Sequence, residues 1–227
     1  MREHGRGLGS FEPPKPLLEA ALLLAAFYAL ALVPAALDGG MGRISSPAFH
    51  LRLVAVDALR ALLVLLVMAR DEGLAAFGLR PIRWGDLPRS LLAASGAIAV
   101  LVLPSLLFYF LGLSNPLMAG LPRGTSRSLA PFFLASSLAA GYAEELCFRS
   151  YLMRRLEGAG LPPVWAALAS SLLFGGAHGA QGLVGVASTT LVGLWLAWRW
   201  HDGRNIHEIA IGHGLYDAIV FALALYS

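Results

Sequence analysis

The sequence predicts an all-α fold, a polytopic transmembrane helical bundle of about seven spans. Three features of composition and one pattern predict it. Of the 227 residues, 57% are hydrophobic and only 14% are charged, and the mean hydropathy is +0.68. A soluble domain carries about 25% charge, so this chain has too little polar surface to face water. The pattern is a succession of apolar runs of about 20 residues, the length at which a helix crosses the hydrocarbon core.

The first run, Leu17 to Leu37, follows a stretch containing Arg2, Arg6 and Lys15 and lacks a clear cleavage pattern, so it reads as a retained helix with Pro34 kinking its end. Residues 1–16 are expected to be a cytoplasmic N-terminal tail and residues 17–227 a single membrane domain. The next runs are Leu53 to Ala69 and Leu91 to Leu113. Between them, Arg70 to Arg89 mixes Asp71, Glu72, Trp84 and Asp86 with apolar residues, as an interfacial segment does. The fourth run extends from Leu129 to about Leu152, the fifth from Val164 to about His178, the sixth from Leu183 to Trp200, and the last from Ile206 to Tyr226. Asn205 and Glu208 have the spacing of a capping box at the start of the last run. His201, Trp198 and Trp200 read as an interfacial belt.

Basic residues fall unevenly on the connections. Arg2, Arg6, Lys15, Arg70, Arg80, Arg83, Arg89, Arg154, Arg155, Arg199 and Arg204 share the side of the N-terminus, against Arg43, Arg52, Arg123 and Arg127 opposite. The positive-inside tendency then puts the N-terminus in the cytoplasm and the C-terminus outside, in the plasma (inner) membrane. The net charge of +3 and pI near 9.3 record this orientation, not a nucleic-acid partner, because the arginines form no stripe. The single cysteine, Cys147, excludes an internal disulfide and a Cys-based zinc cluster.

An ionisable residue deep in a span is costly and marks a candidate site. Three groups qualify, all within 142–217. In Tyr142-Ala143-Glu144-Glu145-Leu146-Cys147-Phe148-Arg149, Glu145 and Arg149 share a helix face and can pair, while Glu144 points about 100° away and is free for chemistry. Cys147 reads as packing rather than as a nucleophile. In Phe174-Gly175-Gly176-Ala177-His178, with Gly179 and Gly182 following, the glycines allow close backbone approach or opening of the helix near His178. In His213-Gly214-Leu215-Tyr216-Asp217, His213 and Asp217 share one face. Glu144 and His213 are expected at similar depth, about 15 Å and 12 Å from the cytoplasmic end, with His178 deeper. His207 and Glu208 fall at a helix start and read as caps.

Glu-Glu-x-x-x-Arg, Phe-x-x-x-His and His-x-x-x-Asp, in that order and each in an apolar span, resemble the CPBP family of CAAX prenyl proteases and bacteriocin-processing, Abi-type enzymes. That resemblance implies an intramembrane endopeptidase acting on a membrane-associated or lipidated peptide or protein. Glu144 and His178 would activate a water, and His213 with Asp217 would stabilise the oxyanion. CAAX proteases often carry Asn where this chain has Asp217, and an ionised Asp repels an oxyanion. Asp217 is then protonated, orients His213, or reflects a variant that accepts either residue. No cofactor is the preferred reading. Zinc held by Glu144, His178 and His213 is the alternative, although no H-E-x-x-H motif occurs. The site is expected to open towards the cytoplasm. Two other classes fit buried ionisable groups. A non-catalytic membrane scaffold or bacteriocin-immunity-type protein would keep its effect without Glu144, and a small transporter would show flux without a peptide product.

Overall fold

The structure is a computed structural model that describes residues 15–33, 44–119, 121 and 124–226. Arg2, Arg6, Pro34, Arg43 and Arg123 lie outside the described residues. Seven long helices are described: α1 Lys15–Ala31, α2 Pro47–Asp71, α3 Asp86–Phe110, α4 Ala130–Glu145, α5 Pro163–Ala177, α6 Gly182–Gly203 and α7 Ile206–Tyr226. The chain beyond α4 stays helical through a π-helical stretch, Leu146–Leu152, and a last α-helical piece, Met153–Gly158. The fold is all-α.

The expected runs correspond to these helices with shifted ends. The second starts at Pro47 rather than Leu53, because a proline at the first helical turn is already set for helical φ. The third starts at Asp86 and stops at Phe110. Among the described residues, three helices are long and apolar enough to cross a membrane unaided: α3, α6 with the short turn before it, and α7. The 25-residue α2 has the length, but Arg52, Asp57 and Arg60 interrupt its apolar character. The chain is an integral membrane protein, and its outward faces carry exposed leucines such as Leu22, Leu66, Leu103 and Leu223.

The helices alternate in direction, so the bundle has two ends. At the end where α1 begins, Arg70 meets Glu19 at 2.6 Å, Arg154 and Arg155 pair with Glu72 and Asp71, and Arg204 meets Glu157 at 2.8 Å. The hydrogen bond from Arg154 holds the exposed Glu72 carboxyl below its ordinary pKa. At the other end, the Thr125 amide donates to the Leu225 carbonyl at 3.1 Å.

The start of α7 is fixed differently from the expected capping box. Asn205 Oδ1 accepts from the His207 amide at 3.2 Å, as an N-cap does, but Glu208 turns to Arg199 instead of reaching back. Asn205 also donates to Asp86 at 2.9 Å, which Arg80 and the Arg83 amide hold from the loop before α3. His207 does not cap. Its ring joins the Tyr142 hydroxyl at 2.9 Å and the Arg80 carbonyl at 2.6 Å, tying α4 and that loop to α7. Trp200 is no interfacial anchor, being 1% exposed, because α6 turns it into the core, whereas Trp198 is 55% exposed.

In lipid, helices gain no hydrophobic free energy from meeting one another, so close packing of small residues carries association. α7 sits against α4 and α3 on such contacts. A Cβ at Gly141 would lie 2.5 Å from the Ala210 carbonyl oxygen and 2.9 Å from the Gly214 nitrogen. One at Gly214 would lie 2.7 Å from the Leu138 Cα, and one at Gly212 would lie 2.6 Å from the Ala93 Cβ. These backbones approach where side chains leave room. The main core, with Phe27, Phe148, Phe174, Leu196 and Ile209, surrounds this crossing.

Candidate active site

The α4–α7 crossing brings the two acidic and basic motifs into contact. Glu145 and Arg149 form the expected ion pair, with Arg149 Nη1 3.1 Å from Glu145 Oε1 and both side chains fully buried. Glu145 does more than pair with Arg149. The same Glu145 oxygen lies 2.8 Å from His213 Nδ1. A carboxylate oxygen accepts, so Nδ1 donates and Nε2 is left for the cavity. Nε2 stands 3.5 Å from Asp217 Oδ2 and 3.8 Å from Glu144 Oε2. Asp217 thus stands beside His213.

Arg149 emerges from the π-helical stretch that starts one residue after Glu145, and all seven residues of that stretch are buried. Its guanidinium lies 4.4 Å over the Phe174 ring, and the absent side chain of Gly193 leaves it room, since a Cβ there would be 2.8 Å from Nη2. A π turn inside an α-helix is a recurrent feature of functional sites.

His178 stands where α5 ends and the chain passes into a short 3-10 turn, Gly179–Gln181. The helix opens there, as the glycine pattern predicts, and His178 reaches Glu144's cavity from the end of its helix. Gly175 serves packing, because its Cβ would be 2.9 Å from the Val186 carbonyl on α6, while Gly176 and Gly179 face open space. His178 Nδ1 is 2.9 Å from the Phe174 carbonyl oxygen. That oxygen only accepts, so Nδ1 carries the proton and Nε2 is the nitrogen available for chemistry.

Glu144, His178, His213 and Asp217 line one cavity of about 600 Å³. Its other walls are largely apolar, with Ile98, Leu101 and Val102 from α3 and Val184 and Val192 from α6.

Two residues of the site were missed in the sequence. Asp57 and Arg60 of α2 are buried, 2.5 Å apart, and Arg60 Nη2 lies 3.8 Å from Glu144 Oε1. Glu144 is therefore not as free as its helical position implied. The signal was present as two ionisable residues three apart within an apolar run.

Cys147 is fully buried among apolar side chains, as expected of a packing residue. Among the described residues, no three His, Cys, Asp or Glu side chains are grouped to hold a metal ion.

Residues 126–219 match the family model of the type II CAAX prenyl endopeptidases, Rce1-like. The match covers less than half of the chain. The match contains all three motifs, α4 to most of α7, and omits α1 to α3. No curated protein and no solved structure matches the chain.

Proposed function

We propose that this protein is an intramembrane endopeptidase in which Glu144 and His178 activate a water, without a metal ion. The observation that carries the reading is the convergence of Glu144, His178, His213 and Asp217 on one cavity. Hydrolysis needs a base for water, a donor for the leaving amine and charge stabilisation at the carbonyl oxygen. Glu144, oriented with the His178 Nε2, takes a proton from water as the water oxygen bonds to the carbonyl carbon. His213, as an imidazolium with both ring nitrogens protonated, donates from Nε2 to the developing oxyanion, held in orientation by Glu145 behind it and Asp217 beside it. When the C–N bond breaks, the proton on Glu144 passes to the amine. The water thus ends as the new carboxyl and amine groups.

The apolar walls from α3 and α6 favour a substrate that carries a lipid chain or lies within the membrane. The gathering of Lys15, Arg70, Arg80, Arg83, Arg89, Arg154, Arg155, Arg199 and Arg204 at one end supports a plasma-membrane orientation with the N-terminus cytoplasmic. Mass spectrometry of membranes carrying the wild type or Glu144→Ala tests the reading and names the substrate. Peptides cut only by the wild type are expected. Identical peptide sets, with both proteins equally abundant, overturn it.

A further inference from the structure

A second cavity, of about 220 Å³, lies between α1, α2, α4 and α7. Glu144, Asp217 and Phe221 line both cavities, so the Glu144 carboxylate stands at the boundary between them. Both are walled mainly by apolar surface, and the smaller brings in the charged pair Asp57 and Arg60 with Ser136 and Ser137. None of the α1 and α2 residues at this second cavity falls within residues 126–219.

Arg60 is the informative side chain. Its Nη1 is 2.5 Å from Asp57 Oδ1, its Nη2 is 3.8 Å from Glu144 Oε1, and its guanidinium packs 3.8 Å over the Phe27 ring. Its Nε is buried with no hydrogen-bond partner among the described residues. The cavity wall itself brings Asp57, Arg60, Ser136 and Ser137 together with the carboxylates of Glu144 and Asp217, enough polar partners for an ordered water to make two or more hydrogen bonds. The 3.8 Å gap to Glu144 is likewise longer than a direct hydrogen bond. Hydrolysis also consumes one water per bond cut, and an apolar substrate filling the larger cavity excludes water from that side.

We propose that this second cavity holds and delivers the water consumed at Glu144, and that Arg60, braced by Asp57, is the residue that positions the Glu144 carboxylate towards it. The water's role in catalysis rests on the endopeptidase reading above. Its presence in the cavity does not.

The test has one arm for each. Cys147→Ala removes the only cysteine, and single cysteines are then introduced at Ser137, in the second cavity, and at Leu103, 76% exposed on the apolar surface. Membranes are treated with a small, membrane-impermeant cationic methanethiosulfonate from both sides. Ser137→Cys is expected to react and Leu103→Cys to stay unlabelled, and adding Ala140→Leu, which fills the cavity, suppresses the reaction. A Ser137→Cys as inert as Leu103→Cys overturns the water-filled cavity.

The second arm follows the peptide whose cleavage separates wild type from Glu144→Ala. Arg60→Met is expected to lower kcat by roughly tenfold to a hundredfold with little change in KM, and Arg60→Lys to recover part of it. An unchanged kcat, or a change in KM alone, overturns the positioning role. Gel filtration in detergent confirms that each variant is folded. A wild type that cleaves nothing sinks the endopeptidase reading, while the labelling still decides whether the cavity is wet.

Discussion

His213 Nδ1 donates a 2.8 Å hydrogen bond to the Oε1 of Glu145, the same oxygen that lies 3.1 Å from Arg149 Nη1. One buried carboxylate therefore joins the last helix to the guanidinium of the π-helical stretch. Removing it strands a cation and an imidazole N–H in a dry interior. Glu145→Ala is expected to cost about 3–5 kcal/mol of stability and to abolish cleavage. Glu145→Gln keeps an acceptor for His213 but loses the charge, and is expected to fold better while still losing most activity. Thermal unfolding in detergent, read beside cleavage, separates the two effects. A fully active Glu145→Ala would falsify the link between Glu145 and the site.

The packing that makes this hydrogen bond possible gives a second prediction. Gly141→Val and Gly214→Val each insert atoms where backbone already stands, with 2.5 Å from a Gly141 Cβ to the Ala210 oxygen and 2.7 Å from a Gly214 Cβ to the Leu138 Cα. Both variants are expected to unfold or misassemble during purification. Gly176→Ala is the contrast: its Cβ meets nothing within 4 Å and the residue is inside α5. It is expected to raise stability by about 0.5–1 kcal/mol, seen as a higher Tm. Equal behaviour of the three variants counts against glycine-mediated packing as the cause.

Much of this arrangement was legible in the sequence because burial of charge in an apolar run is costly and therefore conspicuous. Glu144, Glu145, Arg149, His213 and Asp217 stand out on that ground, and their helical spacing gives the Glu145–Arg149 pair directly. Asp57 and Arg60 carry the same signal, but they lie in a run that the three motifs do not include, and no local pattern tells which helix α2 faces. The Glu145–His213 contact depends on glycines at a crossing between helices far apart in sequence, so it emerges only in three dimensions. The π-helical stretch has no composition of its own. The spacing of Glu208 to Asn205 fits a capping box, but the competing charge of Arg199 is nearer in space.

Cys147 yields a third prediction. It lies three residues after Glu144, yet it is fully buried in the main core and does not line the cavity. Cys147→Ala is expected to keep wild-type cleavage with a stability loss of about 1 kcal/mol from the small void. Thiol-directed reagents are expected to leave the wild-type protein active. Loss of turnover in a well-folded Cys147→Ala points instead to a thiol in the chemistry.

Metal removal decides between the two hydrolytic chemistries. A zinc site needs three ligands converging on one point with an open position for water. His213 already commits Nδ1 to Glu145, so only its Nε2 is available, and that nitrogen stands 3.5 Å from Asp217 and 3.8 Å from Glu144. In the glutamate mechanism water and substrate sit in the cavity that these groups line, and Glu144 acts as a base with no metal ion to neutralise it. Cleavage is therefore expected to survive prolonged treatment with 1,10-phenanthroline, and the purified protein to contain no stoichiometric zinc by elemental analysis. Glu144→Asp, which withdraws the carboxylate by one methylene, is then expected to retain a small residual rate. Activity lost on chelation and restored by added zinc assigns Glu144, His178 and His213 as ligands, and the base must then be sought elsewhere on the cavity wall.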